Sequence, residues 1–189
     1  MKEKKLVDKK ILFIIASKNF RDEEYFIPYE ILQNEGADIT TASSIKGEIV
    51  GVEGGEARSK MTLKEVEVRK FDAVMFVGGS GAIEYFDDNE AHRIIQKTVN
   101  SRKVLAAICI APIILARSGV LKGKKATVWS SLSDKVGKEE LEKAGCNISD
   151  QRVVTDERII TADGPSVASD FANAIIYAMT NECDDKRKA

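Results

Sequence analysis

The chain has 189 residues, of which 43% are hydrophobic and 31% charged, and its formal net charge at neutral pH is −1. These values are typical of one globular domain, and they give no general reason to expect nucleic acid or an anionic membrane as a partner. No apolar run approaches the length of about eighteen residues that spans a bilayer, and the charged start MKEKKLVDKK lacks the features of a signal peptide. The three cysteines are odd in number and have no CxxC spacing, so we expect a cytoplasmic protein without a disulfide framework.

The apolar pattern alternates between strand and helix along the chain. It predicts a strand at 9–16, a helix at 25–36, a strand at 37–44, a hairpin or extended excursion at 47–63, a strand at 71–79 and a helix at 87–102. It then predicts a strand at 103–109, a helix ending near 118, a strand at 125–130, a helix at 133–145, two strands within 151–163 and a helix at 165–182. No repeat or linker interrupts the pattern, so we interpret residues 1–189 as one domain, with 1–8 and 183–189 as flexible tails.

This alternation predicts an α/β fold with a mostly parallel sheet and helices on both of its faces. Ligands of such sheets bind at the carboxyl ends of the strands. Three unusual features follow predicted strands, namely Cys109, the turn Gly78-Gly79-Ser80-Gly81 and the acidic loop Asp22-Glu23-Glu24. The carboxyl edge of the sheet is therefore the expected position of a functional site.

The stretch Ala107-Ile108-Cys109-Ile110-Ala111 joins a predicted strand to a predicted helix. A residue on so sharp a turn has a strained backbone and an outward-pointing side chain, and small residues flank it two positions away, as in a nucleophile elbow. The N–H groups that begin the helix favour a thiolate, which is the reactive form of cysteine, and they also suit an oxyanion. The alternative is that Cys109 is a small buried apolar residue, as free cysteines often are.

The turn Gly78-Gly79-Ser80-Gly81 invites comparison with nucleotide-binding loops. The G-x-G-x-x-G fingerprint requires a small residue where Glu84 stands, and the lysine of a Walker loop is missing. We interpret the segment as a tight turn that brings backbone N–H groups towards Cys109. An ordinary turn at a strand end is the alternative.

Glu23 and Glu24 lie near a predicted helix start, where acidic residues are stabilising without any further role. Pro28 has no N–H, so it sets the start of the helix or a kink in it. A carboxyl four residues before Pro28 is able to point back over the strand ends. Burial beside a thiolate would push this carboxyl towards its protonated form, which donates a hydrogen bond to sulfur or transfers a proton.

Together these segments resemble the ThiJ/PfpI family, which includes intracellular-protease-like proteins and the parkinsonism-associated deglycase. The resemblance covers roughly residues 9–182 in order, and it rests on the stretches KILFIIA, DEEYFIPYEIL, FDAVMFVGGSGA, VLAAICIAPIILARSGVLKGKKAT and RIITADGPSVASDFA. It implies a flavodoxin-like three-layer sandwich of the glutamine-amidotransferase-like superfamily. It also implies a homodimer or a higher homo-oligomer.

The resemblance assigns roles to individual residues. Cys109 would be the nucleophile, and Glu24 the carboxyl that contacts it. The backbone N–H groups of Gly79 and Ile110 would form an anion pocket. The residues expected around the pocket are Gly78, Ser80, Trp129 and Asp163.

Three positions depart from the family pattern. Relatives described as proteases often carry histidine directly after the cysteine, whereas this chain has Ile110, and its single histidine, His92, lies on a predicted solvated helix face. Trp129 stands where some relatives have histidine or tyrosine, and Asp163 where many have arginine. We therefore expect one wall of the pocket to be more apolar than in these relatives and another wall to be more acidic. The acidic wall disfavours an anionic substrate. Packing of Trp129 in the core is the alternative use of that residue.

The leading hypothesis is a cofactor-free enzyme of glyoxalase or deglycase type. The Cys109 thiolate would attack a small reactive carbonyl or its adduct on a protein side chain, while Glu24 moves protons. The alternatives are a redox-sensing or chaperone-like stress protein using the same thiol, a peptidase or amidase weakened by the missing histidine, and a catalytically silent protein. No metal site is expected, because zinc needs several imidazoles or paired cysteines.

Overall fold

A central sheet with helices on both faces organises the protein. The computed structural model describes residues 3–181. Its strands are β1 (Lys10–Ile14), β2 (Asp38–Ser43), β3 (Gly47–Val50), β4 (Glu56–Ser59), β5 (Met61–Thr62), β6 (Ala73–Phe76), β7 (Val104–Ile108), β8 (Lys125–Ala126), β9 (Asn147–Ile148), β10 (Val153–Asp156) and β11 (Ile159–Ala162). Its α-helices are α1 (Asp22–Asn34), α2 (Asn89–Asn100), α3 (Pro112–Arg117), α4 (Val136–Lys143) and α5 (Ala168–Thr180).

The main sheet contains seven strands in the order β10-β11-β7-β6-β1-β2-β5. Neighbouring strands run parallel, except for the antiparallel pair β10–β11. Strands β2 and β6 lie on opposite sides of β1. The chain therefore leaves β1 in one direction and β6 in the other, which opens a crevice between these two strands. The crevice at the carboxyl ends of these strands is the usual ligand position in such a sheet.

The two faces of the sheet each pack against helices. On one face α1 and α5 contribute side chains such as Leu32 and Phe171 to the core, and on the other α2 and α3 contribute side chains such as Ile94 and Ile114. All five residues of β7 are buried, as expected for a central strand covered on both faces. The protein is therefore a flavodoxin-like α/β sandwich, and this prediction from the sequence is confirmed.

Several local predictions need correction. Helix α1 begins at Asp22 rather than at residue 25, so Pro28 lies inside the helix and three acidic residues occupy its first turn. Acidic residues near the helix N-terminus stabilise this earlier start. Of the strand predicted at 125–130, only β8 forms, because the following segment turns towards other partners: the N–H of Thr127 bonds to Thr161 Oγ1 and that of Trp129 to the carbonyl of Cys109.

The segment before β1 is packed against the domain. Residues 5–8 form a turn, Leu6 is fully buried, and its N–H bonds to the carbonyl of Glu35. The interpretation of 1–8 as a flexible tail is therefore wrong for this part, while 183–189 lie outside the described residues. Within residues 3–181, no helix combines the length and apolar character of a membrane span.

The segment at 47–63 contains the expected hairpin. Strands β3 and β4 pair in antiparallel fashion, and β5 then joins the edge of the main sheet. The hairpin is tied to α1 by Asp22, whose carboxylate accepts hydrogen bonds from the N–H groups of Glu53 (2.8 Å) and Gly55 (2.6 Å). This contact holds the hairpin turn beside the carboxyl edge of the sheet.

Candidate functional site

Cys109 occupies a strained turn between β7 and α3. Its φ of +64° lies in the left-handed region, which non-glycine residues rarely adopt. Its N–H bonds to the carbonyl of Ala162, and its own carbonyl accepts from the N–H of Trp129. The flanking residues Ala107 and Ala111 are both fully buried, so larger side chains would have no room there. The strand, the strained residue and the helix form the expected nucleophile elbow.

The glycine turn after β6 packs directly against the elbow and the β1–α1 loop. A Cβ atom on Gly78 would lie 2.6 Å from the Cβ of Cys109 and 2.6 Å from Oε2 of Glu24. Gly79 has a φ of +97°, and a Cβ there would collide with the backbone at Phe20 and Arg21. Glycine is therefore required at both positions. The interpretation of this segment as a tight turn that brings N–H groups to Cys109 agrees with the structure, since the Gly79 N–H interacts with the thiol.

Glu24 reaches the elbow from the first turn of α1. Its side chain is fully buried, and its Oε2 accepts a hydrogen bond from the Gly78 N–H at 3.1 Å. The carboxyl also interacts with the Cys109 thiol. Oε1 has no well-aligned hydrogen-bond partner within residues 3–181. A buried carboxyl that interacts with a thiol is well placed to exchange a proton with it.

Both acid groups of this pair hold their protons more tightly than usual. Burial raises the pKa of Glu24 from 4.5 to about 7, against the opposing effect of hydrogen bonds from Cys109 and from the Gly78 N–H. Burial, together with the neighbouring Glu24 carboxylate, raises the pKa of Cys109 to about 12. The N–H groups of Gly79 and Ile110 favour the thiolate and offset this rise only in part.

The expectation that helix amides keep the resting sulfur ionised is therefore wrong. Helix α3 has only six residues, and its short dipole is outweighed by burial and by the charge of Glu24. The two groups instead form a coupled pair that carries at most one negative charge near neutral pH. Glu24 is the group in position to accept the Cys109 proton when the sulfur reacts, and a neutral carboxyl does not repel charge on the sulfur.

Cys109 is half-buried and opens into a cavity of ≈ 580 Å³ that Glu24 also lines. We call this cavity the Cys109 pocket. Of the residues expected from the sequence, it is lined by Glu24, Gly79, Ser80, Cys109, Ile110 and Trp129. Gly78 lies behind the sulfur, where it contacts Cys109 and Glu24. Trp129 is a wall of the pocket rather than a core residue.

Several residues of the pocket were not predicted from the sequence. Arg21 and Asp134 add charged groups, and the apolar walls are completed by Val52, Ile83, Phe86, Ile113, Val136 and Pro165. Arg21 directly precedes the acidic loop, so its place in the sequence could have indicated that it lies beside the pocket. Its guanidinium forms ion pairs with Glu23 at 2.8 Å and Glu53 at 3.5 Å. Val52 comes from the hairpin turn, and no local sequence pattern indicates that this turn reaches the site.

The structure places Asp163 outside the Cys109 pocket. Its carboxylate pairs with Arg152, with Oδ2–Nε and Oδ1–Nη2 distances of 2.9 and 3.1 Å. The two residues face each other across the ends of the antiparallel strands β10 and β11, and the Asp163 N–H also bonds to the Arg152 carbonyl. The prediction that Asp163 makes a wall of the pocket acidic is therefore wrong, because a cross-strand cation neutralises it.

His92 has a structural role on α2. Its Nε2 lies 2.8 Å from the Phe86 carbonyl oxygen, and the side chain is half-buried rather than fully solvated. Since it is the single histidine of the chain, an imidazole base adjacent to Cys109 is not available. Among the described residues, no cluster of three or more histidine, cysteine or acidic side chains is arranged to hold a metal ion.

The fold and the site define the class of this protein. A cysteine on a nucleophile elbow, a buried carboxyl beside it and a glycine turn at the end of the neighbouring strand mark an α/β protein with a cysteine-centred site. The model of the DJ-1/PfpI family matches residues 9–178. The chain therefore belongs to the DJ-1/PfpI family.

Individual relatives agree with this assignment. The deglycase PfpI of Pyrococcus furiosus is 34% identical over 156 residues, which cover 82% of this chain and 90% of that protein. The crystal structure of a ThiJ/PfpI domain protein from Brachyspira murdochii has a TM-score of 0.86 and 30% identity, covering 90% of this chain and 95% of that one. The crystal structure of Drosophila melanogaster DJ-1beta has a TM-score of 0.78 and 26% identity, covering 91% of each chain.

Proposed function

We propose that this protein is a cysteine-dependent enzyme that converts α-oxoaldehydes, or their adducts on thiols and amines, to hydroxy acids. The observation that carries the proposal is the convergence of the Cys109 thiol, the Glu24 carboxyl and two backbone N–H groups at one pocket. The name of the Pyrococcus furiosus relative, a deglycase, supports the same class of chemistry.

The first step is addition of the thiol to the aldehyde. The proton of Cys109 moves to Glu24, the sulfur forms a bond to the aldehyde carbon, and the electron pair of the C=O bond moves to oxygen. The N–H groups of Gly79 and Ile110 are the donors available for this oxyanion. Transfer of the proton from Glu24 to the oxygen then gives a neutral hemithioacetal. A carboxyl with a pKa of about 7 suits both directions of this transfer.

The second step is an internal redox rearrangement. Glu24 removes the proton from the carbon bonded to sulfur, and a proton returns to the adjacent carbonyl carbon through an enediol. The former aldehyde carbon is oxidised to a thioester while its neighbour is reduced to an alcohol, so the electrons stay within the substrate. Water then cleaves the thioester and releases a hydroxy acid and the free thiol. Methylglyoxal would yield lactate by this route.

The direct test is turnover of methylglyoxal by the purified protein, followed by measurement of lactate. We expect lactate from the wild type and at least a hundredfold lower rate from Cys109→Ser, a drop within the range that loss of a nucleophile produces. Cys146→Ser is the matched control, because this second thiol donates a hydrogen bond to the Lys124 carbonyl and does not line the Cys109 pocket. Equal lactate formation by Cys109→Ser would refute the proposal.

A redox-sensing role is the second candidate. The Glu24 carboxyl and the N–H groups of Gly79 and Ile110 would also stabilise a sulfinate on Cys109. The raised pKa of the thiol slows both routes, since the thiolate is the reactive species in each. We favour the enzyme over the sensor because the similarity to the Pyrococcus furiosus deglycase supports it. A peptidase is disfavoured by the lack of a histidine beside Cys109.

A further inference from the structure

A second cavity adjoins the Cys109 pocket on the other side of Trp129. It has a volume of ≈ 350 Å³, and we call it the second cavity. Its charged lining residues are Lys138, Arg152, Asp150 and Asp163, two cations and two acids, and Ser130, Ser149 and Ser166 add hydroxyl groups. Trp129 and Pro165 line both cavities. The two cavities are therefore neighbours that share these two side chains as walls.

Trp129 is held firmly between the cavities. Its N–H bonds to the Cys109 carbonyl at 2.8 Å, which connects its position to that of the elbow. A Cβ on Gly137 would lie 2.8 Å from the Trp129 carbonyl oxygen, and one on Gly164 would lie 3.4 Å from Cδ1 of its ring. Helix α4 and the segment after β11 thus approach this residue closely. Trp129 is therefore an apolar residue shared by the pocket of the reactive sulfur and the second cavity.

The second cavity has a different chemistry from the Cys109 pocket. Its two cations are Arg152 and Lys138, whose nearest acidic partners are Asp163 and Asp150. Arg152 has five N–H donors, and its bonds to Asp163 and to Ser166 Oγ (2.6 Å) use three of them. Lys138 Nζ lies 3.9 Å from Asp150, which is too far for a hydrogen bond. Both cations therefore keep donor capacity for an added anion.

The sizes of the two cavities argue for a substrate larger than a free glyoxal. Cavities of about 300–1,000 Å³ usually hold ligands of drug size, and a three-carbon dicarbonyl would leave most of this space empty. An adduct on an amino acid has a reactive carbon at one end and a charged main chain at the other. Its apolar side-chain stem is suited to the surface of Trp129 and Pro165.

We propose that the second cavity binds the carboxylate of an amino acid or short peptide that carries the carbonyl adduct. Arg152 and Lys138 hold this carboxylate while the adduct carbon lies beside Cys109. This inference rests on the proposed function, because it assigns the carrier part of the same substrate. It makes Arg152 a specificity residue and Trp129 the surface over which the carrier lies.

The single tryptophan of the chain is Trp129, so its fluorescence reports occupancy of either cavity. The probe is an unreactive thioether, N-acetyl-S-(2-hydroxypropyl)cysteine, compared with its C-terminal amide, which lacks only the negative charge. We expect the free acid to bind the wild type roughly five- to tenfold more tightly than the amide, because only the acid accepts charge-assisted hydrogen bonds from Arg152 and Lys138. Equal affinities of acid and amide would overturn the proposal.

Two substitutions give opposite results if the proposal is right. Arg152→Gln removes the guanidinium and should abolish the preference for the acid. Asp163→Asn keeps the guanidinium and removes its competing carboxylate, so the acid should bind more tightly than to the wild type. A merely structural role for the pair would weaken binding in both variants, and that result would refute the assignment. Arg69→Gln is the control, because this exposed arginine pairs with Glu67 and lines neither cavity.

This binding experiment is independent of turnover. Lactate formation without any preference for the acid would refute the second cavity as a carboxylate site and leave the proposed function standing. A clear preference for the acid in a protein that forms no lactate would refute the proposed function and leave the binding site standing. The two proposals therefore fail separately.

Discussion

Replacement of Glu24 by glutamine should change how the stability of the protein depends on pH. The pKa of Glu24 is raised from 4.5 to about 7 by burial. A carboxyl whose folded-state pKa is raised contributes stability that is fully present below pH 4.5 and is lost as the pH rises through about 7. At about 1.4 kcal/mol per pH unit, the cost of ionising this group in the folded protein is roughly 3 kcal/mol. Glutamine does not titrate and retains an oxygen for the Gly78 N–H.

The assay is urea denaturation of wild type and Glu24→Gln at about pH 5 and about pH 8. Between these values the variant should gain roughly 2 to 3 kcal/mol of unfolding free energy relative to the wild type. Glu30→Gln, at an exposed carboxyl on the same helix, serves as the control and should follow the wild-type pH dependence. If the difference in unfolding free energy between the wild type and Glu24→Gln is the same at both pH values, burial does not hold Glu24 in its neutral form.

Three further predictions concern the surroundings of the site. Gly78→Ala should destabilise the fold by about 1–3 kcal/mol, because the new methyl group would lie 2.6 Å from the Cβ of Cys109; urea denaturation measures this, and an unchanged midpoint would contradict it. Asp22→Ala removes the acceptor for two backbone N–H groups of the hairpin turn, at a cost of about 2–4 kcal/mol. Faster hydrogen exchange at Gly55 would locate that loss, and unchanged exchange would argue against it. On titration with peroxide, intact mass with peptide mapping should find two added oxygens on Cys109 before Cys146 reacts, if the thiol is a redox sensor. Simultaneous oxidation of both would exclude that alternative.

The fold and the central residues of the candidate site were predictable from local sequence patterns. The alternation of apolar strands with amphipathic helices predicts a parallel α/β sheet, because burial on both faces requires continuous apolar strands. Tight turns are indicated by the alanines at 107 and 111 and by the glycines at 78 and 79. Small residues are typical of such turns because larger side chains have no room there. Such signals depend on residues that are close in the chain, so they are readable without tertiary structure.

Features that involve segments distant in the chain became visible only in the folded protein. Asp163 turned away from the Cys109 pocket because Arg152 faces it across two antiparallel strands. Arg21 lines the pocket because the glycine turn packs against the β1–α1 loop, which contains this residue. The protonation of the Cys109–Glu24 pair depends on the depth of burial and on the distance between two groups 85 positions apart in the chain. Spacing along the sequence does not encode these quantities, since they arise only when distant segments meet in a medium that excludes water.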